Sequence, residues 1–248
     1  MVATARNPAD LTDLPDGDDL RRLSLDVTSQ GSIASAVDAA SDLRLVALIN
    51  NAGYGQMGPL EFVRPDELRA QFETNVVGLQ SVTNAFLPLI RRNAVNGEGR
   101  IVHVASVLGR LSIPLAGPYN ASKHAVVALA ETLRLEIGRE IPIILVEPGA
   151  VATSFRSTIS QAWGDLPERV EGTRYERILA KFLKNREHRA ERFAGSPERA
   201  ARCILKALTR KHPPRRILIR PEARLGPWAK AILPSSVWEW FLRRNYGL

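Results

Sequence analysis

Uninterrupted apolar runs of strand length recur along this chain, and segments of helix length separate most of them. Leu45–Ile49 and Ile141–Val146 are the clearest examples. A run without polar alternation marks a strand covered on both faces, unlike the half-wet strand of an antiparallel sheet. Residues 1–5, Leu23–Val27, Arg100–Ala105 and Arg216–Arg220 read as further strands. Helices are predicted over 29–41, with Ser29 as N-cap, over 65–92 after Arg64-Pro65, and over 118–138. Another begins at Ser196-Pro197-Glu198, with proline in the first turn and an acid behind it, and runs to Lys211. Strands joined by helices of this length form right-handed βαβ units on a parallel sheet. The expected fold is therefore α/β, a doubly wound parallel sheet. Residues 160–195 are polar and fit no element clearly, and residues 226–248, with Trp228, Trp238 and Trp240, suit short amphipathic helices.

Composition narrows the function. No apolar run reaches the roughly 18 residues that span a bilayer. The N-terminus is polar by Arg6 and acidic over residues 10–19, unlike a secretory leader. The single cysteine, Cys203, allows no internal disulfide and no cysteine zinc site. A cytoplasmic protein in a reducing compartment is expected. The net charge of +8 is unevenly placed. Residues 1–168 carry 14 basic and 19 acidic side chains, a net −5, and residues 169–248 carry 20 and 7, a net +13. Such asymmetry fits nucleic acid, an anionic membrane or a solvated helical surface. No nucleic-acid module or aromatic stacking platform accompanies it, so no nucleic-acid partner is expected.

The chemistry concentrates between Ser106 and Lys123. Tyr119 and Lys123 are four residues apart on a predicted helix and share one face. An ammonium beside a phenol favours the phenolate and lowers its pKa from about 10. Such a tyrosine can give or take a proton at an alcohol or carbonyl oxygen. Ser106 follows a strand at its carboxyl end, where open parallel sheets place ligands. An isolated Tyr-x-x-x-Lys is usually surface decoration, so the accompanying motifs decide. Asn50-Asn51-Ala52-Gly53 follows one apolar strand, Asn75-Val76-Val77-Gly78 lies within the long helix, Pro148-Gly149 closes another strand ahead of Thr153, and Asp26-Val27 precedes the first helix.

With these motifs in this order, residues 1 to 155 resemble the short-chain dehydrogenase/reductase family. The resemblance implies a Rossmann-like domain over residues 1–220, with 154–195 as substrate loop and lid, and a C-terminal helical appendage over 221–248. It implies hydride transfer between a nicotinamide cofactor and an alcohol/carbonyl pair, with catalytic residues Tyr119, Lys123, Ser106 and Asn75. Tyr119 would be the general acid or base. Lys123 would hold the nicotinamide ribose and lower the Tyr119 pKa. Ser106 would orient the substrate oxygen, and Asn75 would hold a water that links Lys123 to solvent. Asn51, Ala52 and Gly53 would line the adenosine side, and Asp26 and Val27 would contact adenine. Pro148, Gly149, Val151 and Thr153 would bind the nicotinamide carboxamide. No metal site is expected.

Arg6 bears on the choice of cofactor. It follows Ala3-Thr4-Ala5, which resembles the end of the family's second strand, where an acid would select NAD. A guanidinium there suits a 2′-phosphate instead, so NADP is expected over NAD, unless Arg6 is merely a solvated loop residue. The family's opening strand and glycine-rich turn, which set a helix N-terminus against the pyrophosphate, find no match; only Gly17 and Gly31 occur in the first 50 residues. The first βα unit, about 25–30 residues, is therefore expected to be missing. Its strand would lie between those at 1–5 and 45–49, and its loss would leave two unpaired strand edges.

Other residues read more plainly. His103 is expected in the core, His124 is structural, and His188 and His212 are exposed. Cys203 is read as an inert buried thiol, Glu131 and Glu136 as solvated charges, and Glu147 has no assigned role. Phe155, Ile159, Trp163, Tyr175 and Phe182 either line an apolar pocket for a lipophilic alcohol or ketone or pack helices onto the domain. The basic, tryptophan-bearing C-terminus suits covered packing, a subunit contact or weak peripheral membrane contact, and a homo-oligomer is expected. The alternatives are a non-catalytic nucleotide-sensing or scaffold protein on the same fold, and a sugar-nucleotide epimerase, which the chain's length disfavours.

Overall fold

The computed structural model describes the whole chain except residues 16, 18, 19, 95, 96, 153, 154 and 194, with the backbone alone at 156, 157, 160 and 184–193. Thr153 therefore lies outside the described residues.

Among the described residues six strands form, all in parallel ladders: β1 (Val2–Ala5), β2 (Arg21–Ser24), β3 (Ala47–Asn50), β4 (Arg100–Val104), β5 (Ile143–Pro148) and β6 (Arg216–Ile219). They fall into two sheets. β1 pairs with β2, and the larger sheet runs β3-β4-β5-β6. Strand direction matches the apolar pattern, because β4 and β5 are covered on both faces. Ile101, Ile143 and Leu145 point into one core with Leu79, Ile90, Val126 and Ala130. The alternate residues Val102, Ile144 and Val146 point into another with Ala207 and Ile219. Each strand must then be apolar at every position, which is why these runs do not alternate.

The helices follow the expected places. α1 (Gln30–Ala39) is capped by the Ser29 hydroxyl, which accepts the Ser32 N–H at 3.2 Å. The long helix over 65–93 is three pieces: α2 (Pro65–Phe72), a six-residue π segment (Glu73–Gly78), and α3 (Leu79–Asn93). α4 (Gly117–Ile137) carries the Tyr-Lys pair. The strand expected at Leu23–Val27 ends at Ser24, because Asp26 turns the chain by accepting the Thr28 N–H and hydroxyl at 2.9 and 2.7 Å.

The stretch over 154–195 is largely helical: α5 (Phe155–Ala162), α6 (Leu166–Val170) and α7 (Arg174–Phe193). Its polarity concealed a core of Ile159, Trp163, Leu166, Val170 and Leu179 that packs on Tyr119 and Met57. α8 (Pro197–Leu208) covers the second face of the sheet and ends three residues before Lys211. α9 (Pro221–Ile232) and α10 (Ser235–Tyr246) close the chain.

Candidate active site

Three elements converge on the Tyr-Lys pair. Ser106 opens the turn after β4, with extended backbone, and its hydroxyl accepts the Leu108 N–H at 3.1 Å. That turn presses onto α4: a Cβ on Gly109 would sit 2.8 Å from the Lys123 carbonyl oxygen and 2.7 Å from a Val127 methyl. Only glycine permits this approach, which sets Ser106 beside the helix. The third element is the loop after β3, where Gly53 lies so close to Asn75 that a Cβ would meet its Oδ1 at 2.9 Å.

Lys123 is buried and donates to the Val104 carbonyl at 2.9 Å, with its Nζ 5.8 Å from the Tyr119 ring centre. Burial lowers its pKa to about 8. Tyr119 and Ser106 are also buried, and the Tyr119 ring packs on Phe155 at 5.5 Å.

One cavity of about 730 Å³ joins these groups. Asn51, Gly53, Ser106, Tyr119, Lys123, Pro148, Gly149 and Val151 all border it. Phe155, Ile204, Ile219, Phe182 and Tyr246 give it apolar walls. Of the five aromatic and aliphatic candidates for a pocket, Phe155 and Phe182 border it. Ile159 and Trp163 are buried in the helical core, and Tyr175 packs edge-on against Phe62 at 5.8 Å.

Asn75 is buried but does not border the cavity. Its Oδ1 accepts the Tyr54 N–H at 3.0 Å, and its Nδ2 donates to the Tyr54 carbonyl at 2.9 Å and to Ser122 Oγ at 3.1 Å. The side chain is thus committed to holding the 51–54 loop against α4. The π segment around it shifts the backbone ladder, a feature frequent at functional sites.

The adenosine-side residues lie further out. Ala52 is exposed next to the cavity-lining Asn51 and Gly53. Asp26 has its carboxyl below the usual range, first through the Thr28 hydrogen bonds and in smaller part through the Arg6 charge. Arg6 is exposed. Val27 packs on the helix, where a Cβ on Gly78 would meet its carbonyl oxygen at 2.7 Å.

Several bland readings are revised or upheld. His103 is buried against Asn50 at 3.2 Å, and burial lowers its pKa to about 4, so it is a neutral core residue. His124 stays on its own helix, with Nδ1 2.8 Å from the Asn120 carbonyl. His212 is exposed, and the His188 side chain lies outside the described residues. Cys203 is half-buried rather than buried. Glu147, given no role from sequence, is fully buried and pairs with Arg216 and, at 3.6 Å, Arg110. Glu131 also pairs with Arg216, and Glu136 is exposed. Sequence missed this cluster because its four members lie on four separate segments. Among the described residues no group of histidine, cysteine and carboxylate side chains could hold a metal, and no helix is long and apolar enough to cross a membrane.

A buried ammonium, a phenol and a hydroxyl around a glycine-bordered cavity at the carboxyl ends of parallel strands form a donor set suited to a nicotinamide ribose and a substrate oxygen. Comparison with known proteins agrees. The short chain dehydrogenase family model matches residues 2–163. The uncharacterized oxidoreductase YusZ of Bacillus subtilis is 33% identical across 99% of this chain and 89% of its own. The 3-ketodihydrosphingosine reductase of Bacteroides thetaiotaomicron is 33% identical across 92% and 84%. A short-chain dehydrogenase/reductase from Burkholderia phymatum, solved in complex with NAD, superimposes with a TM-score of 0.73 at 26% identity, covering 87% of this chain and 76% of that one. The chain is an oxidoreductase that belongs to the short-chain dehydrogenase/reductase family.

Proposed function

We propose that this oxidoreductase interconverts a lipophilic secondary alcohol and its ketone with NADP(H). The observation that carries the reading is the single cavity in which Ser106, Tyr119 and Lys123 meet apolar walls from Phe155, Phe182, Ile204 and Tyr246. Such walls reward apolar burial and offer little to a charged sugar. The similar reductase from Bacteroides is named for a long-chain base, which is consistent with this class.

The residues divide the work. Ser106 holds the substrate oxygen, and Tyr119 passes a proton to that oxygen in reduction and takes it back in oxidation. Lys123, still an ammonium at neutral pH, favours the ionised phenol and binds ribose hydroxyls. A nicotinamide dinucleotide held there would supply or accept the hydride. Asn51, Ala52, Gly53, Pro148, Gly149, Val151 and Thr153 would seat it, with Asp26 and Val27 at adenine. Asn75, whose side chain also holds Tyr54 and Ser122, would hold a water that links Lys123 to solvent. Arg6, exposed at the end of β1 and near Asp26, favours a 2′-phosphate through bidentate, charge-assisted bonds.

The test is Tyr119→Phe, assayed with NADPH on a panel of long-chain and polycyclic ketones. Turnover should fall by about 100-fold or more while NADPH binding, read by fluorescence titration, is retained. A variant as active as the parent removes Tyr119 from the proton path. A parent protein inert across the panel removes the lipophilic-substrate reading.

A further inference from the structure

The last two helices leave a large apolar surface uncovered. Eight of the fifteen exposed large apolar side chains among the described residues lie between positions 225 and 248. They are ordered. On α9 the buried residues Ala223 and Pro227 face the domain, and Leu225, Trp228 and Ile232 form a stripe on the outer face, each about two-thirds exposed. On α10 the partly buried Trp238, Leu242 and Tyr246 recur every fourth residue and turn inward, with Tyr246 stacked on Phe182 of α7 at 6.0 Å. Val237, Trp240 and Phe241 occupy the other face and are exposed. Each helix is thus apolar on the side that packs and apolar again on the side that does not. Amphipathic packing alone calls for only one such face.

We propose that the outer face of α9 and α10 docks on an anionic lipid surface. The charges favour this occupant. The two helices carry Arg224, Lys230, Arg243 and Arg244 against Glu222 and Glu239, and they end the segment of net +13. Arg244 lies over the Trp240 ring at 5.5 Å, so the guanidinium and the indole form one amphipathic unit. Indole rings sit at the headgroup level of a bilayer, while flanking basic side chains meet anionic headgroups. A partner subunit would cover the apolar stripes equally well but gains nothing from the basic surplus.

The position of the patch matters for the reaction. Asn245 and Tyr246, at the end of α10, border the cavity that holds Tyr119, as do Lys181 and Phe182 of α7. The helix that meets the lipid is therefore also a wall of the substrate site, and docking turns the cavity toward the phase in which a lipophilic substrate dissolves. This last consequence rests on the proposed substrate class; the docking itself does not.

Vesicle co-sedimentation tests the docking without reading catalysis. The full chain is mixed with vesicles of phosphatidylcholine alone or with about one-third phosphatidylglycerol, at about 0.1 M and about 0.5 M salt. The expected result is binding to the phosphatidylglycerol vesicles with a blue shift of tryptophan emission. That binding should weaken by about tenfold or more in the high salt, and by a similar factor in the double variant Trp228→Glu/Trp240→Glu. Circular dichroism and the melting temperature of the variant control for folding, which these exposed positions should not disturb. The proposal is overturned if the parent does not bind the anionic vesicles, or if the folded double variant binds as well as the parent. It is equally overturned if light scattering finds a vesicle-indifferent dimer that the double variant splits, which would make the patch a subunit interface.

Discussion

In the proposed reaction Lys123 would serve chemistry at the expense of stability. Its amine is buried and donates to the Val104 carbonyl, and burial moves its pKa from 10.5 to about 8. At neutral pH that shift costs the folded state about 3 kcal/mol relative to an exposed lysine. Lys123→Met should therefore melt no lower than the parent while turnover falls by about 100-fold or more. The pH dependence has a definite sign. Because the folded pKa is depressed, the cost is full below pH 8 and fades as pH rises toward 10.5, where the unfolded chain also loses its proton. Denaturant titrations at about pH 7 and about pH 10 should show the stability difference between variant and parent shifting in the parent's favour at the higher pH. Arg6 makes a separate claim: Arg6→Ala should weaken NADPH binding by about tenfold and leave NADH binding nearly unchanged, read by paired fluorescence titrations.

The turn between β4 and α4 is the element on which the site depends. Gly109 lets it lie against the Lys123 carbonyl. Both atoms that an added methyl would meet, that carbonyl and the Val127 methyl, sit on α4, so the turn itself must move. Gly109→Ala should cost about 1–3 kcal/mol of stability and lower turnover further than binding, because Ser106 rides on the same turn; denaturation and steady-state kinetics check the two parts. The elements also show what patterning can reveal. Tyr119 and Lys123 were legible because helical spacing alone puts them on one face. Asn75 was legible as a special residue, but its partners were not, since Tyr54 and Ser122 reach it from other elements. Helices α5–α7 were obscured by the polar and charged residues that run through this stretch of sequence, although Trp163, Leu166 and Leu179 are buried.

The described strands form two sheets of unequal cover. β4 and β5 are buried on both faces, and β1 and β2 are half-buried or exposed along most of their length. Local opening should follow that cover. Amide hydrogen exchange is expected to be faster by about 100-fold or more in residues 2–5 and 21–24 than in 101–104 and 143–146. Equal protection would mean that the two sheets open as one unit.

The sequence by itself determined the parallel α/β architecture, because strands covered on both faces must be apolar at every position. It also determined that Tyr119 and Lys123 share one helix face and that Ser106 follows a strand end, because helix period and strand ends are local properties. Tertiary structure alone decided that Asn75 braces a loop, that Glu147 sits buried between arginines, which aromatics wall the cavity, and that the last two helices keep apolar faces in the open. Each of these depends on which distant segments meet, and no local pattern records that.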